Sequence, residues 1–179
     1  MRLHPTLLTF FRVILTPFLI AFFYLPFYWS HVTCVIIFIF AAVTDLFDGF
    51  LARYFEKTTK LGTFLDPVAD KIMIVSSLIL ITDWYHVWWI TLPSIVSIVR
   101  EIIISSLREW IAETKERRYV SVSLIGKWKT FFQMVSLIGM LSKVDGTMLF
   151  FSTILLYFSV FLTYWSIAQY FRSIWNFLR

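Results

Sequence analysis

The chain has 179 residues, of which 59% are hydrophobic, 20% aromatic and only 15% charged, and its formal net charge is +5. Soluble domains contain about 45 to 50% apolar and about 25% charged residues, so this composition excludes a soluble globular protein and indicates an integral membrane protein. A single cysteine also excludes an intrachain disulfide and a cysteine metal site.

Six apolar segments predict an all-α membrane protein with six transmembrane helices in one bundle, and residues 1–179 form a single domain. The first span follows Arg2 and has no small-residue cleavage site, so it is interpreted as a retained helix rather than a signal peptide. The second, third and fourth segments reach spanning length only by including charged residues. The predicted spans are 6–28, 31–54, 63–82, 86–108, 126–143 and 147–172.

The connections between the spans differ in charge, which predicts the orientation. Lys and Arg are concentrated in 53–60 and 108–129, whereas 29–31, 83–85 and 144–146 contain none. The positive-inside rule therefore places both termini and the charged ends of the spans on the cytoplasmic side of the inner membrane. Aromatic side chains mark the opposite interface, namely Trp29, Trp84, Tyr85, Trp88 and Trp89. The long connection 109–125, in which Trp110 and Ile111 can enter lipid, is predicted to form an interfacial segment between helices 4 and 5.

Spans 2 and 3 carry four carboxylates on one polar face each: Asp45, Asp48, Asp66 and Asp70. Burying an ionised group in a membrane costs about 2.5 to 3.5 kcal/mol on insertion scales, so these acids need cationic partners. Arg53 and Lys71 balance only two of them, which leaves a deficit that divalent cations can fill. Ligands that are all oxygen, without His or Cys, favour Mg²⁺ or Mn²⁺.

Small residues accompany the acids on the same helix faces. Gly49, Ala52 and Gly62 leave backbone uncovered, which gives room for a metal-bound diphosphate in a cleft open to the cytoplasm. Close helix packing is the alternative reason for small residues in a membrane.

Residues 45–70 read D-x2-D-G-x2-A-R-x8-G-x3-D-x3-D, which resembles the signature of the CDP-alcohol phosphotransferase family at every position. The resemblance implies a six-helix bundle that works as a homodimer and holds two divalent cations on the four aspartates. It also implies that Asp70 acts as general base. Gly49, Ala52, Arg53 and Gly62 are then expected to bind CDP-diacylglycerol, although Arg53 at a helix end can also be a residue that extends toward the membrane surface.

Residues 5–12, 100–110 and 125–130 are similar to family members that condense CDP-diacylglycerol with sn-glycerol 3-phosphate, giving phosphatidylglycerophosphate and CMP. One departure is Leu3, where relatives often have Asn. An acceptor that carries a phosphate needs a second cationic site, for which the candidates are Arg100, Arg108, Lys127 and Lys129. The alternatives are an intramembrane pair of Arg100 with Glu101, and a role for the two lysines as positive-inside anchors.

Two rival functions follow from the same features. A relative with another acceptor, inositol phosphate or phosphatidylglycerol, shares the signature. A metal-ion transporter also has acidic residues on transmembrane helices, but here the outer halves of the spans are apolar and aromatic. No Ser or Cys has a His near it on the polar faces, which favours direct transfer without a covalent enzyme intermediate.

Overall fold

The computed structural model describes the backbone of residues 5–55, 60–113, 124–144 and 146–178, and the side chains of residues 10–44, 68–69, 71–106, 126, 128–144 and 146–168. All regular structure in these ranges is helical, as the sequence predicts. The helices are α1 (Pro5–Tyr24), α2 (Ser30–Phe55), α3 (Lys60–Tyr85), α4 (Trp88–Glu113), α5 (Leu124–Leu141) and α6 (Thr147–Leu178).

The largest differences between the helices and the predicted spans are at the C-terminal ends of three helices. α1 ends at Tyr24 rather than at residue 28, because Leu25 precedes Pro26 and a residue before proline disfavours helical backbone. α4 continues to Glu113, so Trp110 and Ile111 belong to this helix and not to a separate interfacial segment. The remainder of that connection, 114–123, lies outside the described residues. α6 extends to Leu178, six residues beyond the predicted end of its span.

The bundle is built around α1, which packs against both α2 and α3, and around the antiparallel pair α5 and α6. Contacts of α5 with α2 and α3, and of α4 with α3 and α6, join the two groups. The core consists of buried apolar side chains from all six helices, among them Leu19, Cys34, Leu78, Ile90 and Leu156. Close packing of these side chains against one another determines how the helices are placed.

Three short turns meet at one end of the bundle, at 25–29, at 86–87 and at the described residues 142–144 and 146. Lys143 holds them together: its Nζ donates to the Phe23 carbonyl at 2.9 Å and lies 3.8 Å from the Phe23 ring centroid and 3.7 Å from that of Trp84. The Tyr24 hydroxyl adds a hydrogen bond of 2.7 Å to Asp83. Lys143 has a φ of 53° and lies in the turn, since α5 ends at Leu141 and not at the predicted residue 143.

Two helices are long and apolar enough to cross a membrane, judged by length and composition among the described residues. They are Trp88–Ser106 and Thr147–Ala168. Only 33% and 22% of the residues in their most apolar windows are buried, so most of their apolar side chains point away from the rest of the bundle. Phe150 and Phe161 on α6, for example, are 64% and 59% exposed. Such surfaces are typical of helices that face lipid.

Candidate active site

The predicted metal ligands lie on two consecutive helices, in their halves nearest the connection 56–59. α2 carries the positions of Asp45, Asp48, Gly49, Ala52 and Arg53, and α3 carries those of Gly62, Asp66 and Asp70. Because only four residues separate the two helices, these positions belong to the same end of the bundle, opposite the three short turns. The side chains of all eight residues lie outside the described part of the chain, so their proposed roles stay predictions.

The donor chemistry of this end is consistent with a hard divalent cation. The four acidic positions provide carboxylate oxygens, and the nearest described side chains add neither His nor Cys. Among the residues with described side chains, no group of three or more His, Cys, Asp or Glu occurs. Mg²⁺ and Mn²⁺ fit this donor set, whereas Zn²⁺ prefers nitrogen and sulfur ligands.

Arg12 of α1 lies close to the acidic positions and has only 2% of its surface exposed. It lines a small, mainly apolar cavity with Phe38, Ala41, Ala42, Met73, Ile74 and Met134. Ala41 is one helical turn before Asp45, and Ile74 is one turn after Asp70, so Arg12 lies about one turn from both. No role for Arg12 was predicted, although an arginine inside an apolar run is a signal of function.

The structure brings two of the four candidate acceptor residues together. Arg100 of α4 is 6% exposed and Lys129 of α5 is fully buried. Both contact Glu101: Arg100 Nη1 lies 3.3 Å from Glu101 Oε1, and Lys129 Nζ forms an ion pair with the same oxygen. The predicted pair of Arg100 with Glu101 is therefore present, and Lys129 joins it.

This cluster of Arg100, Glu101 and Lys129 joins two positive groups to one carboxylate. The burial of Lys129 shows that it is not an anchor that extends to the membrane surface. A buried ion pair is stable only with good geometry and further hydrogen bonds. The side chains of the other two candidates, Arg108 on α4 and Lys127 on α5, lie outside the described residues.

Hydrogen bonds to helix carbonyls hold the elements around this cluster. Ser159 of α6 donates to the Lys129 carbonyl at 3.3 Å, and Ser105 of α4 donates to the Glu101 carbonyl. The sequence alone does not indicate that Glu101 is a shared partner. Glu101 and Lys129 are 28 residues apart, and only the fold of the chain brings their side chains into contact.

Comparisons with known proteins show which sequences this chain resembles. The sequence profile of the family described as CDP-alcohol phosphatidyltransferase matches residues 2–165. A protein of Yersinia enterocolitica named CDP-diacylglycerol–glycerol-3-phosphate 3-phosphatidyltransferase is 56% identical over 171 residues, which cover 96% of this chain and 94% of the relative.

Two further relatives carry the same name. The protein of Pectobacterium atrosepticum is 59% identical over 76% of this chain and 75% of its own length. That of Sodalis glossinidius is 55% identical over 79% of this chain and 78% of its own length. The matches extend well beyond the 26 residues of the acidic motif.

Proposed function

Because the chain belongs to the CDP-alcohol phosphatidyltransferase family, we propose that it transfers the phosphatidyl group of CDP-diacylglycerol to sn-glycerol 3-phosphate. The products are phosphatidylglycerophosphate and CMP. The names of its relatives support both substrates.

The observation that carries the acceptor assignment is the buried cluster of Arg100, Glu101 and Lys129. sn-Glycerol 3-phosphate is a dianion at neutral pH, and its phosphate needs a cationic site that is separate from the acids that hold the metals. The cluster lies on α4 and α5, whereas the acids lie on α2 and α3. Its two cations suit a phosphate, because charge-assisted hydrogen bonds from Arg and Lys are about twice as strong as neutral ones.

The acids of α2 and α3 would hold two divalent cations, with Asp45, Asp48, Asp66 and Asp70 as ligands. When bound, two such ions reduce the charge of the diphosphate and stabilise the attacking and leaving oxygens. Asp70 also accepts the proton of the glycerol hydroxyl as this oxygen attacks the β-phosphorus of CDP-diacylglycerol. The bond between that phosphorus and the CMP oxygen breaks in the same displacement.

The remaining residues of the acidic motif would bind the donor. Arg53 would contact the diphosphate of CDP-diacylglycerol, because it is one turn past Gly49 on the same face of α2. Gly49, Ala52 and Gly62 would leave room for the nucleotide between the two helices.

The proposal includes the membrane arrangement. All six helices cross the inner membrane, the three short turns lie on the outer side, and both termini and the active site face the cytoplasm. The shortest helix, α5, has 18 residues and spans about 27 Å, and the others are long enough to cross a hydrocarbon core of about 30 Å. The protein works as a homodimer, as the family resemblance implies.

The test is an assay with purified protein in detergent micelles. CDP-diacylglycerol and sn-glycerol 3-phosphate with Mg²⁺ should yield CMP and phosphatidylglycerophosphate, detected by chromatography and mass spectrometry. CMP release distinguishes the transferase from a metal-ion transporter. Inositol 1-phosphate or phosphatidylglycerol in place of sn-glycerol 3-phosphate should give no lipid product, and equal or faster turnover with either compound would refute the acceptor assignment.

A further inference from the structure

Gln133 of α5 is a buried amide for which the reaction described above has no use. Its exposed fraction is 0%, and neither Nε2 nor Oε1 has a hydrogen-bond partner among the described residues. A buried polar group without a partner costs about 1 to 3 kcal/mol, and an amide has both a donor and an acceptor to satisfy. Gln133 therefore has the properties of a side chain that binds a polar ligand.

The position of Gln133 connects it to the cluster of Arg100, Glu101 and Lys129. Gln133 follows Lys129 by four residues, so both lie on one face of α5. Ser97 precedes Glu101 by four residues on α4 in the same way. Because the ion pair of Glu101 with Lys129 connects α4 and α5, Ser97 and Gln133 lie at the same level, about 6 Å further toward the outer end of the bundle.

Ser97 shares the unusual state of Gln133. It is fully buried, and its Oγ has no hydrogen-bond partner in the part of the chain that the structure describes. Other buried hydroxyls of these helices are satisfied, since Ser94 donates to the Ile90 carbonyl and Ser136 donates to the Ser152 carbonyl. The Nε of Arg100 is a third buried atom without a partner among the described residues. Three unsatisfied groups thus belong to the cluster or lie one helical turn from it.

The chemistry of this layer fits a hydroxyl group better than an anion. An anion offers only acceptors, which would satisfy Nε2 of Gln133 and leave Oε1 unmatched. A hydroxyl both donates and accepts, so it can pair with an amide and a serine at once. The acceptor sn-glycerol 3-phosphate has one hydroxyl that attacks and one that does not react.

We propose that Gln133 and Ser97 bind the non-reacting 2-hydroxyl of the glycerol backbone, one helical turn from the cluster that holds its phosphate. The inference rests on the proposed function and deepens it. It assigns the selectivity for a glycerol phosphate to two uncharged side chains, one on α4 and one on α5. A site built to bind a hydroxyl rejects an analogue without that hydroxyl, since its own buried polar groups are then left unpaired.

The test compares two acceptors in the CMP-release assay: sn-glycerol 3-phosphate and 3-hydroxypropyl phosphate, which lacks the 2-hydroxyl. We expect kcat/KM of the unmodified protein to be roughly 10- to 100-fold lower for the analogue. Gln133→Met keeps the volume of the side chain but not the amide. In this variant the ratio of kcat/KM between the two acceptors should fall to within about 3-fold of unity. A loss of activity that is equal for both acceptors would indicate a structural role only and would overturn the proposal.

Ser136→Ala is the matched control, because Ser136 lies on the same helix and its hydroxyl already has a partner. Its ratio between the two acceptors should equal that of the unmodified protein. If Gln133→Met does not fold, as judged by its melting temperature, Ser97→Ala is the test instead. An unchanged ratio between the two acceptors in Ser97→Ala then overturns the proposal. Absence of CMP release from the unmodified protein with either acceptor would instead refute the proposed function itself.

Discussion

Arg100 and Lys129 share one carboxylate, so a substitution of either cation changes the surroundings of the other. When one cation is removed, Glu101 pairs with the remaining cation alone. The proposed phosphate site would then attract a phosphate less strongly even though the remaining cation is in place. The two cations therefore act together in binding.

Lys129→Met and, separately, Arg100→Met should raise KM for sn-glycerol 3-phosphate by roughly 10- to 150-fold, because a lost charge-assisted contact is worth about 1.5 to 3 kcal/mol. KM for CDP-diacylglycerol should change by less than about 3-fold, since the donor binds to α2 and α3. Steady-state kinetics with each substrate varied in turn measures both values. An unchanged KM for the acceptor in both variants would remove the cluster from the acceptor site.

Asp70→Asn should abolish kcat while the protein stays folded. The amide cannot accept the proton of the attacking hydroxyl, and it is a weaker metal ligand than a carboxylate. The melting temperature in detergent and the rate of CMP release are the two measurements. Activity within about 10-fold of the unmodified protein would show that another group is the base.

The residues of the acceptor site could be predicted only in part. Arg100 and Lys129 can be identified in the sequence because a charged residue inside an apolar segment indicates a specific partner or function. Their shared contact with Glu101 was not predicted, and neither was the buried amide of Gln133. A polar residue in a spanning helix can face lipid headgroups, a partner helix or a ligand, and the choice depends on the rotation of the helix, which packing decides.

At the level of the helices, α5 and α6 approach each other closely at Gly139. A Cβ added to Gly139 would collide with Oγ of Ser152 and would lie 3.1 Å from its Cβ. The neighbouring hydrogen bond of 2.6 Å from Ser136 Oγ to the Ser152 carbonyl limits how far α6 can move away. Small residues at such contacts permit close packing of membrane helices.

Gly139→Ala should therefore destabilise the protein by about 1 to 3 kcal/mol, the usual range for overpacking. The melting temperature in detergent should fall, and Ser152→Ala in the same chain should restore part of the loss because it removes the colliding oxygen. Equal stability of Gly139→Ala and the unmodified protein would contradict the close contact.

Helix number and order agree with the prediction from apolar segments, whereas the ends of α1 and α4 do not. Apolar composition continues past Tyr24 into the turn, where Pro26 limits the backbone of Leu25. Residues 109–113 were predicted to belong to the connection between α4 and α5. They are Glu, Trp, Ile, Ala and Glu and include no helix breaker, so α4 continues through them. Hydropathy indicates which residues prefer lipid, while local backbone preferences determine where a helix ends.

For the whole molecule, Lys143 joins three turns that are far apart in the sequence. Lys143→Met should lower the melting temperature, because it removes a hydrogen bond to the Phe23 carbonyl and contacts with two aromatic rings. Each cation–π contact is worth about 0.5 to 2 kcal/mol. KM for both substrates should stay unchanged, since the proposed site lies at the opposite end. A variant with normal stability would show that the turns do not depend on this contact.

The proposed orientation can be tested with cysteine labelling, because the single native cysteine, Cys34, is buried. A membrane-impermeant maleimide should label Val144→Cys in cells with an intact inner membrane, since Val144 is 47% exposed in an outer turn. Arg179→Cys should react only after that membrane is permeabilised. The reverse pattern would invert the topology.

The unequal lengths of the helices determine the depth at which the reaction takes place. α2, α3 and α4 each have 26 residues, or about 39 Å, so they exceed a hydrocarbon core of about 30 Å. In the proposed orientation, with their short turns at the outer surface, the excess of about 9 Å extends to the level of the cytoplasmic headgroups. There the lipid substrate arrives by lateral diffusion and the acceptor from bulk solution. Turnover should consequently follow the mole fraction of CDP-diacylglycerol in the membrane rather than its amount per volume, so adding inert phospholipid would slow the enzyme by surface dilution.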